Sequence, residues 1–428
     1  MHLRTSFVIL FLILANSFSA AQETDSAAVS ASPSITHYPP KIPATSRWEK
    51  IVSFPGTVLY FPFKIVFFGV EKTIATIDET YIIQRTKDWM EADNGLYKFE
   101  PTYSSRNGAG LHFHLYGLLN ADSRISMTAT VGTHKRQRYA LQLKDVSLFS
   151  GIRLGGIAEY QFLSEEAFFG IGPDAKKSDE SIYGHKAGLT ALSFNYGKQT
   201  DFVLSTTVGL ETNSIVDSPD ADEAQITERH HPLAGLDDHV RLGHVALQLA
   251  QDTRDHLGQP HSGREAYITT AFYQDVDAHD YGFWRLNADY SQYLHLFYNR
   301  TVALRIAGQV NRAFSGQAIP FYHLSELGYR ETIRGFDRGR FRDRDRLLAS
   351  AEYRFPIKAN EYDESGYDGL LFIDTGRVSP GIIGEFQIKK FMIGIGGGVR
   401  FYTRKGLSMK AEIAVSKEEV RTYFVLHD

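Results

Sequence analysis

From residue 96 to the end of the chain, apolar and polar positions alternate with a period of two. Leu111, Phe113 and Leu115 interleave with His112, His114 and Tyr116, and Tyr267, Thr269 and Ala271 interleave with Ile268, Thr270 and Phe272. Successive side chains of a strand point to opposite faces, so the pattern predicts strands. They are expected over 96–103, 109–118, 123–133, 136–146, 151–163, 182–196, 201–211, 239–250, 264–274, 282–297, 301–311, 346–357, 367–376, 391–402, 406–415 and 419–427. Most exceed the roughly five or six residues usual in a soluble sheet. They suit the roughly 9–11 that cross a bilayer at a tilt.

The connections sort by parity. Those at even places include 119–122, 147–150, 197–200, 298–300 and 403–405, all short, whereas the long segments 164–181, 212–238 and 312–345 all fall at odd places. Two even connections, 251–263 and 358–366, exceed a tight turn. A barrel with both termini in the periplasm needs short turns on one side and long loops on the other. A soluble propeller or sandwich has no reason to segregate loop length by side. The fold class expected is therefore all-β, a sixteen-stranded transmembrane antiparallel β-barrel over 95–428. Outward positions should be apolar, with rings gathered near the headgroups. Tyr103, Tyr116, Phe149, Tyr160, Phe162, Tyr196, Phe202, Phe297 and Tyr298 are the candidates for these girdles; in a soluble β-domain the same rings would simply pack in a core.

The beginning of the chain reads differently. Residues 1–20 carry His2 and Arg4, an apolar run from Phe7 to Ala15 and then small residues, the pattern of a signal peptide. Residues 21–46, rich in Ser, Ala, Thr and Pro, read as a linker. Across 47–94, Trp48, Ile51, Val52, Leu59, Phe63, Val66, Phe67, Val70, Ile74 and Ile77 recur at mixed helical spacing broken by Pro55 and Pro62. This predicts a short N-terminal amphipathic helical segment, lying at an interface or against the barrel, with a broken core helix of a soluble domain as the alternative. After residue 20 no run of about 18 apolar residues exists to make a spanning helix; Pro62 and Lys64 interrupt the best stretch.

Composition narrows the class. An exported chain with no cysteine excludes disulfides, thiol chemistry and cysteine-bound metal, and fits the envelope of a Gram-negative bacterium. A net charge of -4 lacks the basic excess of a nucleic-acid binder.

The densest charged feature is Arg330, Glu331, Arg334, Asp337, Arg338, Arg340, Arg342, Asp343, Arg344, Asp345 and Arg346, in and just after the longest odd connection. Embedded in it, Gly335 offers a bend, Phe336 an apolar anchor and Arg334 a planar fork suited to a carboxylate. That favours a loop folded inward over a solvated electrolyte loop. The strings Leu327-Gly328 to Ile333-Arg334-Gly335-Phe336, Ala351-Glu352-Tyr353-Arg354-Phe355-Pro356-Ile357 and Leu371-Phe372-Ile373-Asp374-Thr375-Gly376-Arg377-Val378 resemble the carboxy-terminal half of the bacterial surface antigen family. These are outer-membrane barrels related to BamA, TamA and two-partner secretion transporters. Phe169-Gly170-Ile171-Gly172-Pro173, Asp252 to Asp255 with Pro260 and Gly263, and Gly396-Gly397-Gly398-Val399-Arg400 add to the resemblance, which spans roughly 95–428.

The resemblance implies a sixth extracellular loop folded into the lumen, locked by Arg334, Gly335 and Phe336 against Phe372 and Asp374 of the thirteenth strand. It also implies that in insertases the seam between first and last strands is weakly paired. The periplasmic repeats usual before such barrels are expected to be missing, since 21–94 reads as linker and helix. No catalytic motif is present and no enzyme activity is expected. His230, His231 and His239 could meet near the outer surface, but their spacing is loose; no metal and no cofactor are assigned. Two functions remain: assistance in the insertion or translocation of protein or lipid at the outer membrane, or a passive barrel, whether narrow pore, surface antigen or adhesin, closed by its loop. Expected partners are outer-membrane lipids and lipopolysaccharide, with unfolded outer-membrane proteins, lipids or assembly subunits on the first reading; nucleic acid is not a partner, and the barrel is expected to be monomeric.

Overall fold

The structure, a computed structural model, describes residues 95–426 apart from 105, 150, 199–201, 220–223, 257–259, 361–364, 383–389 and 403–407. The expected signal peptide (1–20), linker (21–46) and helical segment (47–94) lie outside the described residues.

The wall begins with β1 (Tyr97–Ser104), β2 (Gly108–Tyr116), β3 (Arg124–Val131), β4 (Gln137–Phe149), β5 (Ile152–Phe168) and β6 (Ser181–Lys198). It continues with β7 (Phe202–Val216), β8 (His239–Asp252), β9 (Gly263–Asp275), β10 (Gly282–His295) and β11 (Thr301–Ala313). After an excursion through β12 (Ser325–Leu327) and β13 (Phe341–Asp343), it resumes with β14 (Asp345–Asn360), β15 (Ser365–Ser379), β16 (Met392–Tyr402), β17 (Ser408–Ser416) and β18 (Val420–Leu426). Sixteen strands pair antiparallel in chain order, β11 bonding directly to β14, while β12 and β13 form a separate two-stranded sheet. Every expected strand is present. β12 and β13, three residues each, are too short to carry a period and were not anticipated.

The faces are inverted relative to a soluble protein. Leu111, Met127, Leu192, Val245, Ile268, Ile306, Ile373 and Ile395 are exposed on the outside, while Lys98, Glu100, His114, His244, Glu352, Asp374, Arg400 and Glu412 are buried on the inside. Apolar-out and polar-in is how a barrel satisfies hydrocarbon around a polar lumen. Of the expected girdle rings, Phe149, Tyr160, Tyr196, Phe202, Phe297 and Tyr298 are exposed. Two are not girdle residues. Phe162 is buried beside Gly184 with the Lys186 ammonium 5.7 Å from its ring centre. Tyr116 falls on the lumen face with His114, ring centres 6.1 Å apart, because it keeps the parity of His112 and His114. The side chain of Tyr103 lies outside the described set.

The longest connections between strands, 169–180, 217–238 and 314–344, open on one rim together with the shorter 132–136 and 276–281, whereas 117–123, 253–262 and 296–300 lie at the other, where 253–262 remains longer than a tight turn. The expected connection 358–366 is shortened because β14 runs on to Asn360 past a bulge between Pro356 and Lys358. A bulge is where a strand tolerates a residue lacking an N–H. At the long-loop rim, Phe168, Tyr183, Ile226, Leu236, Leu242, Phe283 and Phe321 form one apolar cluster beneath the loops. Among the described residues no register joins β1 to β18.

Candidate functional site

The segment 314–344 turns back into the barrel. Its apolar residues Leu327, Ile333, Phe336 and Phe341 are at most 1% exposed and pack on Ala307, Leu348, Val378 and Met392. Here the wall offers an apolar patch inside an otherwise polar lumen, so burying the loop removes water from both surfaces. The turn at its tip needs a residue without a Cβ: Gly335 has φ +92°, and an added Cβ would meet Ser416 at 3.0 Å. Opposite it, a Cβ on Gly394 would lie 1.9 Å from the Arg334 carbonyl oxygen, so this glycine lets the loop backbone touch β16.

The tip delivers Arg334, 7% exposed, to three carboxylates on three strands. Its Nε donates to Asp374 Oδ2 at 2.7 Å and its Nη2 to Oδ1 at 2.9 Å, a bidentate fork. Its Nη1 donates to Glu352 Oε2 and Glu412 Oε1, both at 3.1 Å. The guanidinium lies over the Phe372 ring, 3.3 Å from its centre, a cation–π contact made stronger by desolvation. The Arg334 backbone N–H also donates to Asp374 at 3.1 Å, and Ser350 donates to the same carboxylate at 2.6 Å. Gly335 N–H donates to the Tyr423 hydroxyl oxygen at 2.9 Å, and the Ser416 hydroxyl donates to the Gly335 carbonyl at 2.6 Å. One turn of loop is thus tied to β14, β15, β17 and β18. Burial disfavours charge on Arg334, but bonding to Asp374 and the nearby charges of Glu352 and Glu412 outweigh it, and its pKa is raised above the ordinary arginine value.

The structure places Arg334, Gly335, Phe336, Phe372 and Asp374 together at this point of the lumen. The sequence reading missed Glu352, Glu412, Ser350 and Tyr423. Glu352 and Glu412 had a signal: each is a lone carboxylate at an inward position of a strand with apolar outward neighbours. The rest of the charged run divides. Arg340 and Arg342 are buried, Arg340 bonding Glu418 at 2.8 Å and Arg342 pairing Glu326 at 2.8 Å, while Arg330, Glu331 and Arg338 stay near solvent. Higher on the loop, His323 Nε2 stands 3.3 Å from Glu211 Oε2 on β7, and Arg285 of β10 donates to the His323 carbonyl at 2.6 Å. Burial lowers the His323 pKa below the ordinary histidine value, with the Glu211 contact opposing.

The loop histidines do not converge. His230 contacts the Asp179 carbonyl, His231 contacts Asp237 and His239 contacts Ser214.

The model of the Omp85 superfamily domain matches residues 120–421. Among solved structures, BamA from Haemophilus ducreyi lacking POTRA domains 1–3 is similar, with TM-score 0.59 and 13% identity over 77% of this chain and 69% of that one. CdiB from Escherichia coli is similar with TM-score 0.50 and 9% identity, covering 77% of this chain and 62% of that one. At these identities the likeness concerns the fold. No curated protein matches the chain. With the family model spanning most of the barrel, and an inside-out sixteen-stranded sheet beneath it, the chain belongs to the Omp85 superfamily and is an outer-membrane barrel of a Gram-negative bacterium.

Proposed function

We propose that the protein assists the insertion or translocation of protein or lipid at the outer membrane, and that its cargo is a polypeptide that docks as a strand. The observation that carries this reading is the edge of β18. Its neighbour on one side is β17, and among the described residues no register pairs its other side. Phe424, on the outward face of β18, is 84% exposed. A strand edge in hydrocarbon leaves N–H and C=O groups that cost several kcal/mol each if unmet. Adding a strand from another chain satisfies them, which is how a sheet edge recruits extended polypeptide.

On this reading the long-loop rim faces the cell exterior, and the exposed apolar belt meets lipid and lipopolysaccharide. The Arg334 lock has a mechanical part. Through Tyr423 and Ser416 it fixes the last hairpin to the loop, so that β18 can accept a partner without the barrel collapsing. A passive pore fits less well, because the apolar residues of 314–344 pack onto the inner wall of the barrel. Liposome swelling tests the alternative: size-selective flux of sugars through the purified barrel, unchanged when Arg334 is replaced, would support a pore and sink the insertion reading.

A further inference from the structure

Away from the lock, on the lumen face of the first hairpin, Glu100 of β1 stands directly opposite His112 of β2, and His114 lies two residues further along the same face. One donor atom from each of the three lies within 4.8 Å of the others. We propose that Glu100, His112 and His114 form a binding site for a borderline divalent transition ion of the zinc class, which clips β1 to β2.

The surroundings favour a ligand role over a row of solvated side chains. Glu100 and His114 are 6% and 8% exposed. The His114 Nδ1 is held by the Ser126 hydroxyl of β3 at 2.9 Å, which leaves Nε2 aimed at Glu100 Oε2, 3.5 Å away. Holding one ring nitrogen fixes the direction of the other, the usual second partner of a metal-binding histidine. The His112 and His114 rings are nearly perpendicular, 89° between planes with centres 5.9 Å apart, so their nitrogens can approach one point from different sides. Two imidazoles and one carboxylate select zinc, copper(II) or nickel over magnesium or calcium, which prefer all-oxygen sets.

Lys98 shapes the site. Its ammonium lies 2.5 Å from Glu100 Oε1, while Oε2 is the oxygen that faces His114 Nε2. It orients the carboxylate and also repels a divalent ion. The lysine therefore limits affinity, and its removal should raise it, an effect that a purely structural ion pair would not produce.

The test uses the full chain, folded in detergent without a histidine tag and stripped with EDTA. Calorimetric titration with zinc chloride should show one site, and copper(II) bound at one equivalent should give an electron paramagnetic resonance spectrum with two imidazole nitrogens. The double variant His112→Asn, His114→Asn should weaken zinc binding at least about 100-fold, whereas Lys98→Met should tighten it about tenfold. Replacing His230, His231 and His239 together should leave it unchanged. Absence of stoichiometric zinc uptake, uptake that survives the double variant, or tightening absent in Lys98→Met would overturn the site. If the variants fail to fold, the wild-type copper spectrum decides: fewer than two nitrogens rejects the proposal.

Discussion

Replacing Arg334 by Ala should release the loop from the barrel wall. The residue makes two charge-assisted bonds to Asp374 and one each to Glu352 and Glu412, all in a buried site. Its loss leaves three carboxylates facing one another. Asp374 retains Ser350, and Glu352 retains Arg354 at 2.7 Å. Removing one partner of a buried pair costs about 3–5 kcal/mol. Asp374→Ala should cost less, about 2–3 kcal/mol, because Arg334 keeps two carboxylates. The double variant should fall short of the sum by about 1–3 kcal/mol, with recovery incomplete because Glu352 and Glu412 still lose Arg334. Hydrogen exchange of the amides of 327–343, in lipid nanodiscs, reads the local opening directly. A loss of 3 kcal/mol accelerates exchange more than about 100-fold. A change under about threefold in Arg334→Ala, or strictly additive losses in the cycle, would refute the lock and return the charged run to an ordinary surface loop.

Other outcomes follow from the same geometry. Phe336→Ala should open the same amides by about 3–5 kcal/mol through the cavity it leaves, and Gly335→Ala by about 1–3 kcal/mol through strain at positive φ; unchanged exchange in either would show that the apolar seat or the turn is dispensable. His323, its pKa held below the ordinary value of about 6.5 by burial, binds a proton more readily when the loop is undocked. The loop's seat beside Glu211, Arg285 and His244 should therefore be fully stable above that pH and weaken as pH falls below it, and His323→Gln should reduce that dependence in exchange at 319–325; a seat that tightens on acidification contradicts the sign. For sidedness, a cysteine placed at Asp174, whose side chain is 76% exposed, should react with an impermeant maleimide on intact cells, and one at Leu118 should not. The chain's lack of native cysteine makes both labels unambiguous. Position 340 is a poor label site, because Arg340 is buried against Glu418 and Phe169.

The barrel wall was legible because period-two alternation is local: each strand announces its own two faces, and the parity of loop lengths orders them. What alternation did not give was contacts made between distant segments. Phe162 has the outward parity of Tyr160 yet is covered beside Gly184, and β12–β13 exists only because the lumen holds it. The lock was half legible. Arg334 and Asp374 sit in recognisable strings, but Glu412 is distant in sequence from either, and only closure of β14 to β17 around the loop brings it to the same guanidinium. His112 and His114 were visible as inward residues of one strand; that Glu100 faces His112 depends on the hairpin register, which alternation alone leaves free.

A polypeptide received at the β18 edge would lie beside Phe424. A photoreactive residue in place of Phe424, with the same residue in place of Val245 on the β8 wall as control, tests this in growing cells. Both positions are exposed on the outward face, so both touch lipid, and only the edge position should return adducts with other outer-membrane polypeptides. If Phe424 yields only the adducts that Val245 yields, the edge takes no strand and the insertion reading is contradicted.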